Sequence, residues 1–137
     1  MAKTLPHFER DEASPKLDPN AGGIVIAAAD GRIAEVTLRG AFRMLAADRA
    51  GLAAAPLRGQ VWVVAIERDL RSCHLGRPGA DAMVFAEEEP KAGPVEGWFN
   101  ISLAECCKLP KQRGGTYDVT AMIGPYKSAV VTLKLRL

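Results

Sequence analysis

Through the last part of the chain, apolar and polar residues alternate. Tyr117, Val119, Ala121 and Ile123 are separated by Asp118, Thr120 and Met122; Val131, Leu133, Leu135 and Leu137 alternate with Val130, Thr132, Lys134 and Arg136. A period of two puts one set on a core and the other toward water, which is a strand pattern. Gly124-Pro125-Tyr126-Lys127 lies between the two runs and carries the residues that most readily break strands. Residues 114–137 therefore predict two long strands joined by a tight turn.

The same reading extends upstream. Ile24 to Ala29 is a short apolar strand after Gly22-Gly23. Asp30-Gly31 predicts a hairpin turn, since both positions tolerate positive φ. The return strand is residues 32–39, with Ala34, Val36 and Leu38 on one face. Residues 41–55 read two ways. Phe42, Leu45 and Ala46 have helical spacing, yet Gly40 and Gly51 bound the segment closely. A strand for its first half and a loop over 48–59 is the preferred reading. Val61-Trp62-Val63-Val64-Ala65-Ile66 is apolar on both faces and predicts a central strand covered on both sides. Residues 68–78 read as a polar loop, and 81–87 as a strand with Met83 and Phe85 in phase. Glu87-Glu88-Glu89-Pro90 ends that strand, and residues 91–94 turn the chain. In the next strand Phe99, Ile101 and Leu103 are in phase and Trp98 is out of phase. Residues 104–109 predict one helical turn stopped by Pro110, with Ser102 and Glu105 spaced as a capping box. Residues 1–21 carry Pro6, Pro15 and Pro19 and few apolar groups, and predict a disordered tail. Residues 22–137 predict a single domain. The fold class is all-β: an antiparallel sandwich of about seven or eight strands with at most one short helical turn.

Gly115-Thr116-Tyr117-Asp118-Val119 resembles the start of strand F in immunoglobulin-like domains, and Ser128 to Leu133 resembles strand G. The resemblance implies an immunoglobulin-like or fibronectin-type-III-like sandwich in which Tyr117 makes the tyrosine corner and Val119 stands where antibody domains keep a cysteine. It also implies a core position for Trp62, which falls in the third or fourth strand. The chain lacks the inter-sheet cysteine pair, so it is similar to the cysteine-free members. The fold hosts adhesion, scaffold and carbohydrate-binding roles and dictates no chemistry.

With 48% apolar residues the chain can bury a core without disulfides, and with only 6% aromatics that core must be built from Val, Ile, Leu and Ala. The abundance of Ala and Arg points to a GC-rich bacterial genome. Three cysteines, two of them adjacent, make a poor disulfide framework. The polar first ten residues contain no secretory apolar segment, and no run is long enough to span a membrane. A cytoplasmic location follows as the expectation, with signal-independent export as the alternative. The net charge of +2 is unevenly spread: residues 108–137 carry six bases and one acid, the rest twelve bases and fifteen acids. A basic docking face for an acidic partner is one reading, and ordinary solvated strand faces the other. Nucleic acid is disfavoured, because a basic stripe without interleaved exposed aromatics is a weak signal.

Chemistry-bearing residues are few. Cys73, His74, Cys106 and Cys107 are the soft-ligand candidates, but neither pair has the spacing of a zinc site. No nucleophile elbow, phosphate loop or dinucleotide fingerprint occurs. The expectation is a non-enzymatic binding or assembly module for a protein partner, without cofactor, monomeric or weakly homodimeric. Trp98, Tyr126, Lys127, Lys111 and Arg113 are its candidate contact residues. A metal or thiol protein using Cys73, His74, Cys106 and Cys107, and a carbohydrate-binding module using Trp98 or Tyr126, are the alternatives.

Overall fold

In the computed structural model, which describes residues 22–49, 61–78, 83–85 and 95–137, the period-two runs become strands of two sheets. In chain order the elements are β1 (Gly23–Ala27), β2 (Gly31–Arg32), β3 (Thr37–Met44), α1 (Ala46–Arg49), β4 (Val61–Glu67), β5 (Cys73–Gly76), β6 (Met83–Phe85), β7 (Val95–Ser102), α2 (Leu103–Cys107), β8 (Gly115–Ile123), β9 (Tyr126–Lys127) and β10 (Val131–Arg136). One sheet has four strands in the order β1-β3-β7-β6; the other has six, ordered β2-β10-β8-β4-β5 with β9 also on β8. The predicted tail (residues 1–21), the acidic run at 87–89, the turn at 91–94 and most of the 48–59 loop lie outside the described residues.

One core lies between the sheets. From the four-stranded sheet it takes Ile24, Leu38, Phe42, Met44, Phe99 and Ile101; from the six-stranded sheet it takes Val61, Val63, Ala65, Val119, Ala121 and Leu133. Tyr117, Val119, Ala121 and Ile123 are all buried, as their alternation predicts. The final hairpin is also as predicted: β8 and β10 pair antiparallel, with Val131 opposite Val119 and Leu135 opposite Gly115. Its turn at Gly124, with φ of 54°, leads directly into β9. Ser128 then bonds Ala121 twice, accepting from Ala121 N at 2.9 Å and donating its own N–H to Ala121 O at 2.9 Å. Past Ser128 the register shifts by one residue, from Met122 opposite Lys127 to Val119 opposite Val131, which is a β-bulge.

Several expectations are corrected. The strands number more than seven or eight, because the two-residue strands β2 and β9 join the larger sheet, β2 on β10 and β9 on β8. That sheet is mixed rather than purely antiparallel, since β2 runs parallel to β10. Asp30-Gly31 makes no hairpin. Asp30 Oδ1 accepts from Lys134 N at 2.8 Å and Ile33 N donates to Arg136 O at 2.6 Å, so the chain crosses to the edge of β10 and turns only at 33–35. An edge strand with unpaired backbone groups outcompetes a local turn there. Among the described residues two helical turns occur rather than one. Residues 41–44 continue β3, and α1 follows at once. Within 68–78, residues 73–76 form β5 against β4. Ser102 caps α2 by accepting from Glu105 N at 3.3 Å, but the Glu105 carboxylate turns away to pair with Lys111, so only half of the capping box forms.

Candidate functional site

Strand β4 decides what the molecule shows to its surroundings. Its two alternating sets are Val61, Val63, Ala65 and Glu67, and Trp62, Val64 and Ile66. The second set is larger and uncharged, so side-chain hydrophobicity alone would bury it. Pairing with β8 imposes the opposite choice. Val61 lies opposite Ile123 and Ala65 opposite Val119, so the first set shares the core face. Trp62 is therefore 37% exposed and Ile66 41%, which corrects both the core tryptophan implied by the resemblance and the strand covered on both sides. Leu75 on β5 stands opposite Val64 and is 57% exposed, and Val130, just before β10, is 56% exposed. The guanidinium of Arg77 stacks 4.1 Å from the centre of the Trp62 ring. At the other end of the face Arg68 makes a two-pronged bond to Asp118, at 2.9 and 3.0 Å, and Thr132 donates to the same carboxylate at 2.7 Å. Those bonds and the Arg68 charge hold the Asp118 carboxyl below its ordinary range.

The same parity buries Glu67 at 1% exposure. Its Oε2 accepts from Leu70 N at 2.6 Å, and its Oε1 has no partner among the described residues. Gly115 faces this carboxylate, and a Cβ there would stand 2.9 Å from Oε1. Tyr117, directly across the strands from Glu67, is also fully buried, and its hydroxyl likewise has no partner. Among the described residues the backbone bond expected of a tyrosine corner is thus not made. Burial pushes the Tyr117 phenol up, the Glu67 charge adds to the rise, and Arg113 opposes it. A buried hydroxyl without a partner carries its full desolvation cost, so Tyr117→Phe is expected to leave stability unchanged or raise it by up to about 1–3 kcal/mol. Urea unfolding at neutral pH measures this, and a clear loss of stability would mean that the hydroxyl is bonded in solution. The sign with pH follows from linkage. Because the folded pKa lies above the unfolded value of about 10, the wild type loses stability as pH rises through that value, and the phenylalanine variant lacks this loss.

The other predicted site residues are dispersed. Trp98 is half-buried against the core, opposite Ala41 on the outer side of the four-stranded sheet. Tyr126 also packs on the core, and its hydroxyl accepts from Leu45 N at 3.3 Å. Lys127 and Arg113 are exposed, and Lys111 is exposed but engaged with Glu105. Cys73 lies opposite Ile66 on the outer face, while the His74 ring sits 6.2 Å from that of Tyr117. Cys107 is buried with its Sγ 3.7 Å from Val63 O, and Cys106 is half-buried. Among the described residues no group of three His, Cys, Asp or Glu is placed to hold a metal ion. Also among the described residues, no helix is long and apolar enough to cross a membrane.

No protein family, curated protein or solved structure matches this chain.

Proposed function

We propose that the protein is a non-catalytic, immunoglobulin-like binding or assembly module that engages a protein partner, in a cytoplasmic setting, through the outer face of its six-stranded sheet. The observation that carries this reading is the inversion in β4, which buries Glu67 and turns Trp62 and Ile66 outward beside Leu75. Placing a charge inside and apolar side chains outside costs stability at both sites, and conflicts of this kind gather where function constrains the sequence. A contiguous apolar strip carrying a Trp and a stacked Arg has the composition of an interface anchor. Strand order supports the immunoglobulin-like part. Taken as strands A, B, D and E, β1, β3, β6 and β7 stand in the order A-B-E-D. Taken as G, F and C, β10, β8 and β4 follow in that order, with β5 in the C′ place.

The test is the double variant Ile66→Lys, Leu75→Lys. Both side chains are already exposed, so the fold and its thermal midpoint should be retained. Crosslinking in cells of the source organism, from a photoreactive residue at Val64, is expected to give a discrete partner band with wild type and none with the double variant. An unchanged band in the double variant, or a turnover assigned to the purified protein, would overturn the reading.

A further inference from the structure

The outer face of the six-stranded sheet carries charge as well as apolar side chains, and strand register orders both. On β4 and β5 its exposed apolar residues are Trp62, Ile66 and Leu75. Ile66 pairs with Asp118 on β8, and Asp118 pairs in turn with Thr132 on β10. Parity along β10 then puts Thr132, Lys134 and Arg136 on this same face, and all three are exposed. β2 adds exposed Arg32, directly opposite Arg136, and β9 adds exposed Lys127, opposite Met122. Because β4 and β10 flank β8, the apolar strip and the β10 cations lie two strand spacings apart, about 10 Å.

We propose, building on the sheet-face reading above, that the partner is an acidic protein whose contact surface sets carboxylates beside apolar side chains. Among the described strand positions of the face Asp118 is the one carboxylate, and Arg68 and Thr132 already bond it. Arg32, Lys127, Lys134 and Arg136 have no ion pair among the described residues. Of the two acids beside β2, Asp30 is bonded by Lys134 N, and Glu35 alone leaves the cations in excess. Arg32 and Arg136 are cross-strand neighbours, and like charges so placed repel. A carboxylate brought by a partner turns that repulsion into two attractions. On the other sheet's outer face, by contrast, Arg43 is paired internally with Glu96 at 2.9 Å. Nucleic acid fits less well. Trp62 is the one aromatic at these strand positions, and the Arg77 guanidinium already stacks on its ring, so the face lacks the row of bare rings on which bases stack. A lipid surface would strip water from the Asp118–Arg68 pair beside Ile66.

The experiment uses the full chain with the photoreactive residue at Val64, crosslinked in cells and in their lysate, and adds the charge reversal Lys134→Glu with Arg136→Glu. Both side chains are exposed, so the thermal midpoint should be retained. The yield of the partner band is expected to fall about tenfold or more in this variant. The swap Lys134→Arg with Arg136→Lys alters the same two positions but keeps their charge, and is expected to keep the band. Raising salt from about 0.15 M to about 0.5 M in the lysate should weaken the wild-type band severalfold, since exposed charges are screened. Mass spectrometry of the crosslinked peptide should show a segment in which Asp and Glu outnumber Lys and Arg. A full-strength band in the charge-reversed protein, a crosslinked segment without excess acid, or crosslinks to nucleic acid or lipid in place of protein would overturn the inference. Absence of any band from the wild type would instead overturn the sheet-face reading beneath it.

Discussion

Phe99→Ala is expected to lower the free energy of unfolding by about 3–5 kcal/mol, the usual cost of deleting a buried aromatic ring. Phe99 is 1% exposed and sits directly across β3–β7 from Gly40. Its ring occupies the space where a side chain at position 40 would be: a Cβ built on Gly40 lies 2.1 Å from the ring's Cζ and 2.4 Å from Cε1. The glycine and the ring are therefore one packing unit. A strand interior glycine is weak by itself, and here the aromatic partner covers it. Gly40→Ala alone should overpack the site and cost about 1–3 kcal/mol, because the ring is itself buried in the core. In the double variant the methyl group refills part of the space left by the ring. The combined loss should then fall short of the sum by about 1 kcal/mol or more. Urea unfolding of the four proteins measures this, and strict additivity would show that ring and glycine do not share the site.

What could be read from the alternating pattern was limited by what sets strand parity. Where one alternating set is plainly more apolar, as in Tyr117 to Ile123 or Val131 to Leu135, the buried face follows from the residues alone. In β4 both sets are apolar, and the heavier one, with Trp62 and Ile66, lost. Its parity is imposed by β8, a neighbour more than fifty residues away, and the only local trace is that Glu67 sits next to a tight turn at Leu70 that can bond its carboxylate. Non-local hydrogen bonding also moved Asp30-Gly31 from a hairpin turn to the edge of β10. The charge asymmetry is plain in the residues, but their pairing is not. Lys111 is engaged with Glu105, and the lone acid Asp118 is tied to Arg68. The adjacent cysteines could be found in the sequence; their unequal exposure could not, because it depends on how closely α2 rests on β5.

Gly76→Ala is expected to cost about 3 kcal/mol, at the upper end of overpacking penalties, while the same substitution at Gly23 should be neutral or stabilising by about 0.5–1 kcal/mol. Both glycines lie in strands, and neither has a positive φ. They differ only in surroundings. At Gly23 nothing lies within 4 Å of an added Cβ, whereas at Gly76 the nearest atoms are the carbonyl oxygen and carbon of Cys106, at 1.9 and 2.5 Å. Backbone atoms of a capped helix cannot swing aside as a side-chain end can. To make room, α2 would have to lift off β5, taking Leu103, Ala104 and Cys107 out of the core. Chemical denaturation gives the two free energies, and a Gly76 variant as stable as the Gly23 variant would show that α2 rests loosely on the sheet.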